Sequence, residues 1–214
     1  MTNVAARPRG EQMVRRLVRP ALWILAFLPI VTIGYSMLFT GLGANPVKEI
    51  EHLTGRWAMR FLAASLAVTP VIRLTGWGWL IPQRRFLGLT AFGWACAHLA
   101  VYLGLDSVFD ISDIVEDVVK RTYITVGMLT FLLLVALALT STKASIKRMG
   151  GKKWQRLHRL VYVAAVTATI HYLWAVKKDT FVPILYFGIF ATLLGFRLLW
   201  RRGRPPAPAR NANT

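Results

Sequence analysis

The chain has 214 residues, of which 55% are hydrophobic, 12% aromatic and only 17% charged, and its mean hydropathy is +0.47. About a quarter of the residues of a soluble domain are charged, so this composition excludes a disordered chain and argues against a soluble enzyme. A bilayer span takes about 20 apolar residues. The chain therefore has room for several spans but not for a separate nucleotide-binding domain, and we predict one domain integral to a membrane.

The formal net charge of +18 does not indicate a nucleic-acid partner, because the basic residues lie between apolar runs and not on a soluble face. Cysteine use is equally uninformative. The single cysteine, Cys96, cannot form an internal disulfide, and we expect it to pack in the core.

Six stretches with few or no charged residues follow one another along the chain. They comprise residues 21–40, 57–72, 86–105, 122–140, 160–176 and 181–199. None shows the alternation of a barrel strand, and hydrocarbon admits only helices or closed barrels. We therefore predict an all-α integral membrane protein with a bundle of six transmembrane helices. Arg60 and Arg197 lie near span ends, from which their side chains can reach the headgroups.

The basic residues divide unequally between the two sides of this bundle. Twenty of the Lys and Arg residues fall in the N-terminus, the second and fourth connections and the C-terminus, against seven in the other connections. The positive-inside rule then places both termini in the cytoplasm. We expect a basic cytoplasmic N-terminus over residues 1–20, the helical domain over 21–200 and a disordered cytoplasmic tail over 201–214. The first apolar run is longer than a signal-peptide core, which favours a retained helix.

One outer connection has a helical pattern of its own. Residues 107–121 read SVFDISDIVEDVVKR, with apolar residues at helical spacing, and Asp113 with Glu116 is expected to form a capping box at its start. Two interpretations stay open: an amphipathic connector on the outer membrane surface, or a docking element for a partner outside the membrane.

Two of the four histidines lie deep within predicted spans. His98 and His171 are each about 12 residues from the inner end of their helix, roughly 18 Å into the membrane, so the two rings reach the same depth. His158 lies at the inner start of the fifth helix, and His52 is expected in a solvated outer loop. Ionisable residues inside a membrane are costly, which makes them functional candidates by default.

Depth-matched imidazoles on separate helices favour a haem over a zinc ion or a proton relay. Two neutral imidazoles can ligate one haem iron, whereas zinc prefers four ligands and a proton relay normally needs carboxylates, which these helices lack. No CxxCH motif is present, so the haem would be held without covalent attachment. For either ring considered alone, the alternative is a structural role, in which the imidazole only forms a hydrogen bond to a neighbouring helix.

The inner end of the bundle offers a less complete site. Arg84 precedes His98 by 14 residues. On an ideal helix, this spacing places the two side chains within about 40° of each other around the helix axis, and so on the same face. An arginine cannot ligate iron, but it can hold a haem propionate or another anion. His158 and His171 are about 140° apart on an ideal helix. The outer site therefore has two histidines and the inner site only one.

Three segments resemble a known family. They read TGRWAMRFLAASLAVTPVIRLTGW, RRFLGLTAFGWACAHLAVYL and WQRLHRLVYVAAVTATIHYLW, and they are similar to the ferric-reductase-like transmembrane proteins, in particular the haem-binding membrane subunit of a periplasmic methionine sulfoxide reductase system. The resemblance implies a b-type cytochrome of the bacterial inner membrane. Its donor would be the quinone pool or a cytosolic flavin reductase, and its acceptor a periplasmic molybdenum-containing reductase of oxidised methionines.

The resemblance also implies site residues and cofactors. It assigns the ligation of haem b to His98 and His171. His158 is a further candidate metal ligand, and Arg84 is a candidate cofactor-binding residue. One haem is expected, and whether there is a second stays open. FMN is implied by resemblance alone. Larger members carry a second third-helix histidine, where this chain has Arg84, and a cytosolic flavin domain, so we do not expect this chain to oxidise a nicotinamide directly. It is expected to be an electron-transfer subunit that does not act on the final substrate.

Two other functions remain open at this point. One is a transmembrane ferric or quinone reductase that works without a partner protein. The other is a scaffold or transporter without redox chemistry, although we find neither internal repeats nor polar broken helices of the kind transporters show. The basic fourth connection, residues 141–156, is interpreted as a topology anchor, with an FMN-phosphate or quinone site as the alternative.

Overall fold

The computed structural model describes residues 9–176 and 180–202, and this part of the chain is helical with short connections. The helices are α1 (Arg9–Tyr35), α2 (Pro46–Thr75), α3 (Ile81–Val101), α4 (Ile111–Lys120), α5 (Thr122–Leu139), α6 (Lys143–Met149), α7 (Gly151–Leu157), α8 (Leu160–Ala175) and α9 (Phe181–Arg202). Short π-helical turns, Ser36–Thr40 and Tyr102–Asp106, extend α1 and α3. The all-α prediction is confirmed, whereas most of the predicted C-terminal tail lies outside the described residues.

Five helical segments are long and apolar enough to cross a membrane. They are Arg16–Thr40, Pro46–Thr75, Gly78–Asp106, Thr122–Leu139 and Phe181–Leu199. The remaining predicted span falls on α8, which has 16 residues and a length of about 24 Å, less than the ~30 Å hydrocarbon core. Only His158 and Arg159 separate α8 from α7, and both have right-handed helical backbone angles. The chain therefore runs almost continuously helical over residues 151–175.

Two helix pairs form the frame of the molecule. The main interhelical contacts are those of α2 with α3 and of α5 with α8. The fully or almost fully buried residues include Phe61 and Leu66 of α2, Ala91 of α3, and Ala164 and Ala165 of α8. Alanines at these positions let the helices approach closely, as small residues do in membrane bundles. The prolines at positions 29 and 70 are accommodated inside helices.

Helix α2 begins well before the predicted span. The Asn45 side chain accepts a hydrogen bond from the Lys48 backbone N–H at 3.1 Å, and Pro46 occupies the first helical position. Both features are strong helix-start signals. As a result, His52 lies on a helix, and its prediction as a solvated loop residue was wrong.

Helix α4 confirms the predicted helix in the outer connection but begins at a different cap. The Asp110 carboxylate accepts hydrogen bonds from the backbone N–H groups of Ser112 at 2.8 Å and Asp113 at 3.2 Å. The predicted Asp113–Glu116 capping box was wrong, because the left-handed backbone of Val108 and Phe109 turns the chain just before Asp110. Glu116 instead pairs with Lys120 one turn later.

Candidate functional site

The structure brings His98 of α3 and His171 of α8 together. Their ring centroids are 6.1 Å apart and their planes are inclined at 75°. Both rings line one cavity between the two helix pairs. The space free of protein atoms there is about 1200 Å³, including the part that opens to the surroundings. Two imidazoles from different helices therefore share a single chamber.

Each ring is oriented by a backbone carbonyl on a neighbouring helix. Nδ1 of His98 lies 2.9 Å from the carbonyl oxygen of Glu51, and Nδ1 of His171 lies 2.7 Å from that of Tyr123. A carbonyl only accepts hydrogen bonds, so Nδ1 carries the proton in both rings and Nε2 carries a lone pair. Within residues 9–176 and 180–202, no protein group hydrogen-bonds Nε2 of either ring. This arrangement is typical of metal-ligating histidines.

Two glycines make room for the rings. A Cβ added at Gly55 would lie 3.2 Å from the His98 ring, and one at Gly127 would lie 2.7 Å from Nδ1 of His171. The latter distance is too short for any side chain without a shift of the ring. Sequence reasoning missed both glycines, although a glycine inside an apolar helix is itself a signal, because it is disfavoured relative to Ala unless packing requires it.

The cavity wall fits a haem better than a bare metal ion. Among the described residues, no group of three or more His, Cys, Asp or Glu side chains is placed to hold a metal. The wall around the two rings is largely apolar and includes Met59, Leu62 and Phe131. Two lone-pair nitrogens in an apolar chamber match the needs of a planar, apolar macrocycle that itself supplies the other ligands to its iron.

His158 lies outside this cavity and has different neighbours. Its Nε2 is 3.1 Å from the Thr140 hydroxyl oxygen, and its ring stacks on Trp154 with centroids 3.9 Å apart. Burial lowers the pKa of His158, the Arg84 guanidinium lowers it further, and hydrogen bonding to Thr140 opposes both effects. The lowered pKa favours the neutral imidazole of His158, and no second histidine faces it in the described part of the chain.

Arg84 and Arg197 lie together near the same inner end. Arg197 is 7% exposed and donates hydrogen bonds to the Tyr162 hydroxyl and the Leu66 carbonyl, each at 2.7 Å. It therefore turns into the bundle, and the expectation that it reaches the headgroups was wrong. Arg84 is close enough to Arg197 for their charges to interact. The structure gathers predicted residues Arg84 and His158 here but pairs neither with the outer histidines.

Comparisons with known proteins identify the class. The sequence profile of the family described as ferric reductase like transmembrane component matches residues 54–169. The chain is 44% identical over 196 residues to a protein of Azospira oryzae, covering 91% of this chain and 84% of that protein. It is 47% identical over 186 residues to a protein of Herminiimonas arsenicoxydans (86% and 85% covered) and 47% identical over 197 residues to one of Rhodospirillum rubrum (90% and 95% covered).

All three relatives carry the name protein-methionine-sulfoxide reductase heme-binding subunit MsrQ. The chain therefore belongs to the ferric-reductase-like transmembrane family and, within it, to the MsrQ group. No solved structure matches the chain.

Proposed function

We propose that this protein is a b-type cytochrome that carries electrons across the bacterial inner membrane for the reduction of methionine sulfoxide in envelope proteins. The observation that supports this best is the His98–His171 pair. Both rings line one cavity whose wall around them is largely apolar, and no protein group in the described part of the chain hydrogen-bonds either Nε2. The names of the relatives, as haem-binding subunits of a methionine sulfoxide reductase, support the same function.

The haem, when bound, supplies a one-electron couple at its iron. His98 and His171 would be the protein ligands of that iron, each through Nε2. The carbonyls of Glu51 and Tyr123 hold the ring tautomers and raise the basicity of the ligating atoms. The apolar part of the wall gives the pair a surrounding of low polarity. The residues of this chain therefore position a redox group and set its surroundings, and they carry out no bond chemistry on the final substrate.

The proposed orientation of the protein in the membrane follows from the distribution of charge. Twenty of the 27 Lys and Arg residues lie on one side of a six-span topology, so both termini are assigned to the cytoplasm. The domain spans residues 21–200, with α8 as its fifth span. The His98–His171 pair then lies toward the periplasm. Electrons would enter from the quinone pool or a cytosolic flavin reductase and leave to a periplasmic molybdenum-containing reductase.

A second cofactor position is proposed at the inner end, around His158 and Arg84. A neutral imidazole beside an arginine offers one metal ligand and one anion-binding group. The pair could serve a second haem b or the phosphate of FMN. Family resemblance is the only support for FMN.

Stepwise electron delivery tests the proposed function. The purified protein is reduced with a quinol analogue or with a flavin reductase and its nicotinamide, and the haem bands are followed. We expect reoxidation only when both the periplasmic reductase and methionine sulfoxide are added. Rapid reoxidation by ferric chelates or quinone alone would instead support a reductase that works without a partner, in keeping with the description of the wider family. Absence of haem bands from the purified protein would instead support a scaffold or transporter without redox chemistry.

A further inference from the structure

The cavity that holds the two histidines changes from apolar to polar along one face of α2. Met59 and Leu62 line its apolar part, and one to three turns earlier on the helix Lys48, His52 and Arg56 also line it. Positions 48, 52 and 56 are four residues apart and therefore share one helix face. The chamber is thus amphipathic, with its polar end at the start of α2.

A single ammonium bridges two carboxylates at this polar end. Nζ of Lys48 lies 2.9 Å from the Glu51 carboxylate and 2.8 Å from that of Asp106. The Lys48 ammonium thereby joins α2 to the π-helical turn after α3. Because the Lys48 ammonium already forms ion pairs with both acids, few of its N–H donors remain for another anion.

Arg56 and His52, in contrast, have capacity to spare. The only ion pair of Arg56 among the described residues is with Glu49 at 3.3 Å, and the Glu49 side chain is 52% exposed. A guanidinium has five N–H donors, so most of them are not used by the protein. His52 is half-buried in the cavity wall, and no hydrogen bond to its ring occurs within the described residues.

We propose that Arg56 and His52 bind the propionate carboxylates of the haem held between His98 and His171. This inference rests on the proposed function. A haem has an apolar macrocycle and one anionic edge, which matches the change in polarity along α2. An arginine that can form two parallel hydrogen bonds to a carboxylate is the preferred partner for such a group, and His52 adds a second donor one turn away. The Lys48 ammonium offsets one of the two negative charges of Glu51 and Asp106 and so weakens their repulsion of the propionates.

A change in the ligand tests this assignment separately from the iron ligands. Full-length protein depleted of haem is placed in lipid nanodiscs and titrated, by Soret absorbance, with iron protoporphyrin IX or with its dimethyl ester, which lacks the carboxylate charges. We expect the wild type to bind the diacid at least about tenfold more tightly than the ester, since hydrogen bonds to charged groups are among the stronger ones. The Arg56→Met, His52→Ala double variant should bind both forms equally.

Three further variants control for folding and for general charge. Arg60→Met removes a cation from an exposed position of the same helix, where the guanidinium lies over the Trp57 ring outside the cavity, and should retain the wild-type preference. Arg56→Lys and His52→Gln each keep a hydrogen-bond donor and should retain part of the preference for the diacid over the ester. Unchanged ester binding by the double variant shows that its histidine pair is intact.

The outcomes separate this proposal from the proposed function. Equal binding of diacid and ester by the wild type, or a wild-type preference in the double variant, would overturn the assignment of Arg56 and His52 while leaving the cytochrome intact. Failure of the wild type to bind either porphyrin would overturn the proposed function, and the propionate site with it.

Discussion

Because His98 and His171 are buried in a membrane protein, the backbone carbonyls beside them determine which ring nitrogen carries the proton. An unpaired polar group is expensive in hydrocarbon, so each ring directs its N–H to a carbonyl of a neighbouring helix, at Glu51 and Tyr123. That choice fixes the tautomer and leaves the other nitrogen as a potential ligand. The same hydrogen bond thus pairs the buried ring N–H and leaves Nε2 available as a ligand.

Substitution of Gly127 tests whether the fit around His171 is as tight as the structure indicates. In Gly127→Ala, the new Cβ would meet Nδ1 of His171 at 2.7 Å, and overpacking of this kind costs about 1–3 kcal/mol. We expect the ring to be displaced from the Tyr123 carbonyl and haem content per chain to fall by at least half. Pyridine haemochrome assays and thermal unfolding measure both effects.

Gly93→Ala is the matched control, because Gly93 is also inside a membrane helix and a Cβ there meets nothing within 4 Å. It should bind haem as the wild type does and be equally or slightly more stable, as alanine favours helix. If the variants at 127 and 93 behaved alike, the steric role of Gly127 would be refuted.

At the scale of a single element, α4 depends on the residue that caps it. Asp110 accepts two backbone hydrogen bonds at its start, and loss of such a cap costs about 1 kcal/mol. In Asp110→Ala we expect α4 to fray, with faster hydrogen exchange of its first-turn amides by about fivefold. Ser112→Ala, at an exposed position of the same turn, is the control. Unchanged exchange in Asp110→Ala would show that tertiary contacts hold α4 without its cap.

Regular elements could be predicted from the sequence because their signals are local. Apolar length located the five candidate spans, and helical spacing located α4. Counting residues from the predicted span ends gave His98 and His171 the same depth, and the structure brings their rings together. The start of α2 could also have been found, since Asn45-Pro46 is a helix-start signal. Its omission placed His52 in a loop.

The neighbours of the site could not be predicted in the same way. Gly55 faces His98 across α2 and α3, and Gly127 faces His171 across α5 and α8, so each depends on contacts between distant segments. Arg197 shows the same limit: its position near a span end suggested the headgroups, but the Tyr162 hydroxyl and the Leu66 carbonyl draw it inward.

For the whole molecule, the proposed electron path requires a defined orientation in the membrane. Ser112 lies in α4 on the acidic side and Ala144 in α6 on the basic side, and both are exposed. In a Cys96→Ser background, we expect Ser112→Cys to react with an impermeant maleimide on spheroplasts, and Ala144→Cys to react only after the membrane is opened. The reverse pattern would invert the proposed direction of electron flow.

The central claim is that His98 and His171 together hold a haem b. The most direct measurement is the reduced-minus-oxidised spectrum with a pyridine haemochrome count for the wild type, His98→Ala, His171→Ala and His158→Ala, purified with ample haem supply. We expect b-type bands in the wild type, loss of the outer haem in the first two variants and its retention in His158→Ala. A colourless wild type, or full haem content in His171→Ala, would contradict this claim.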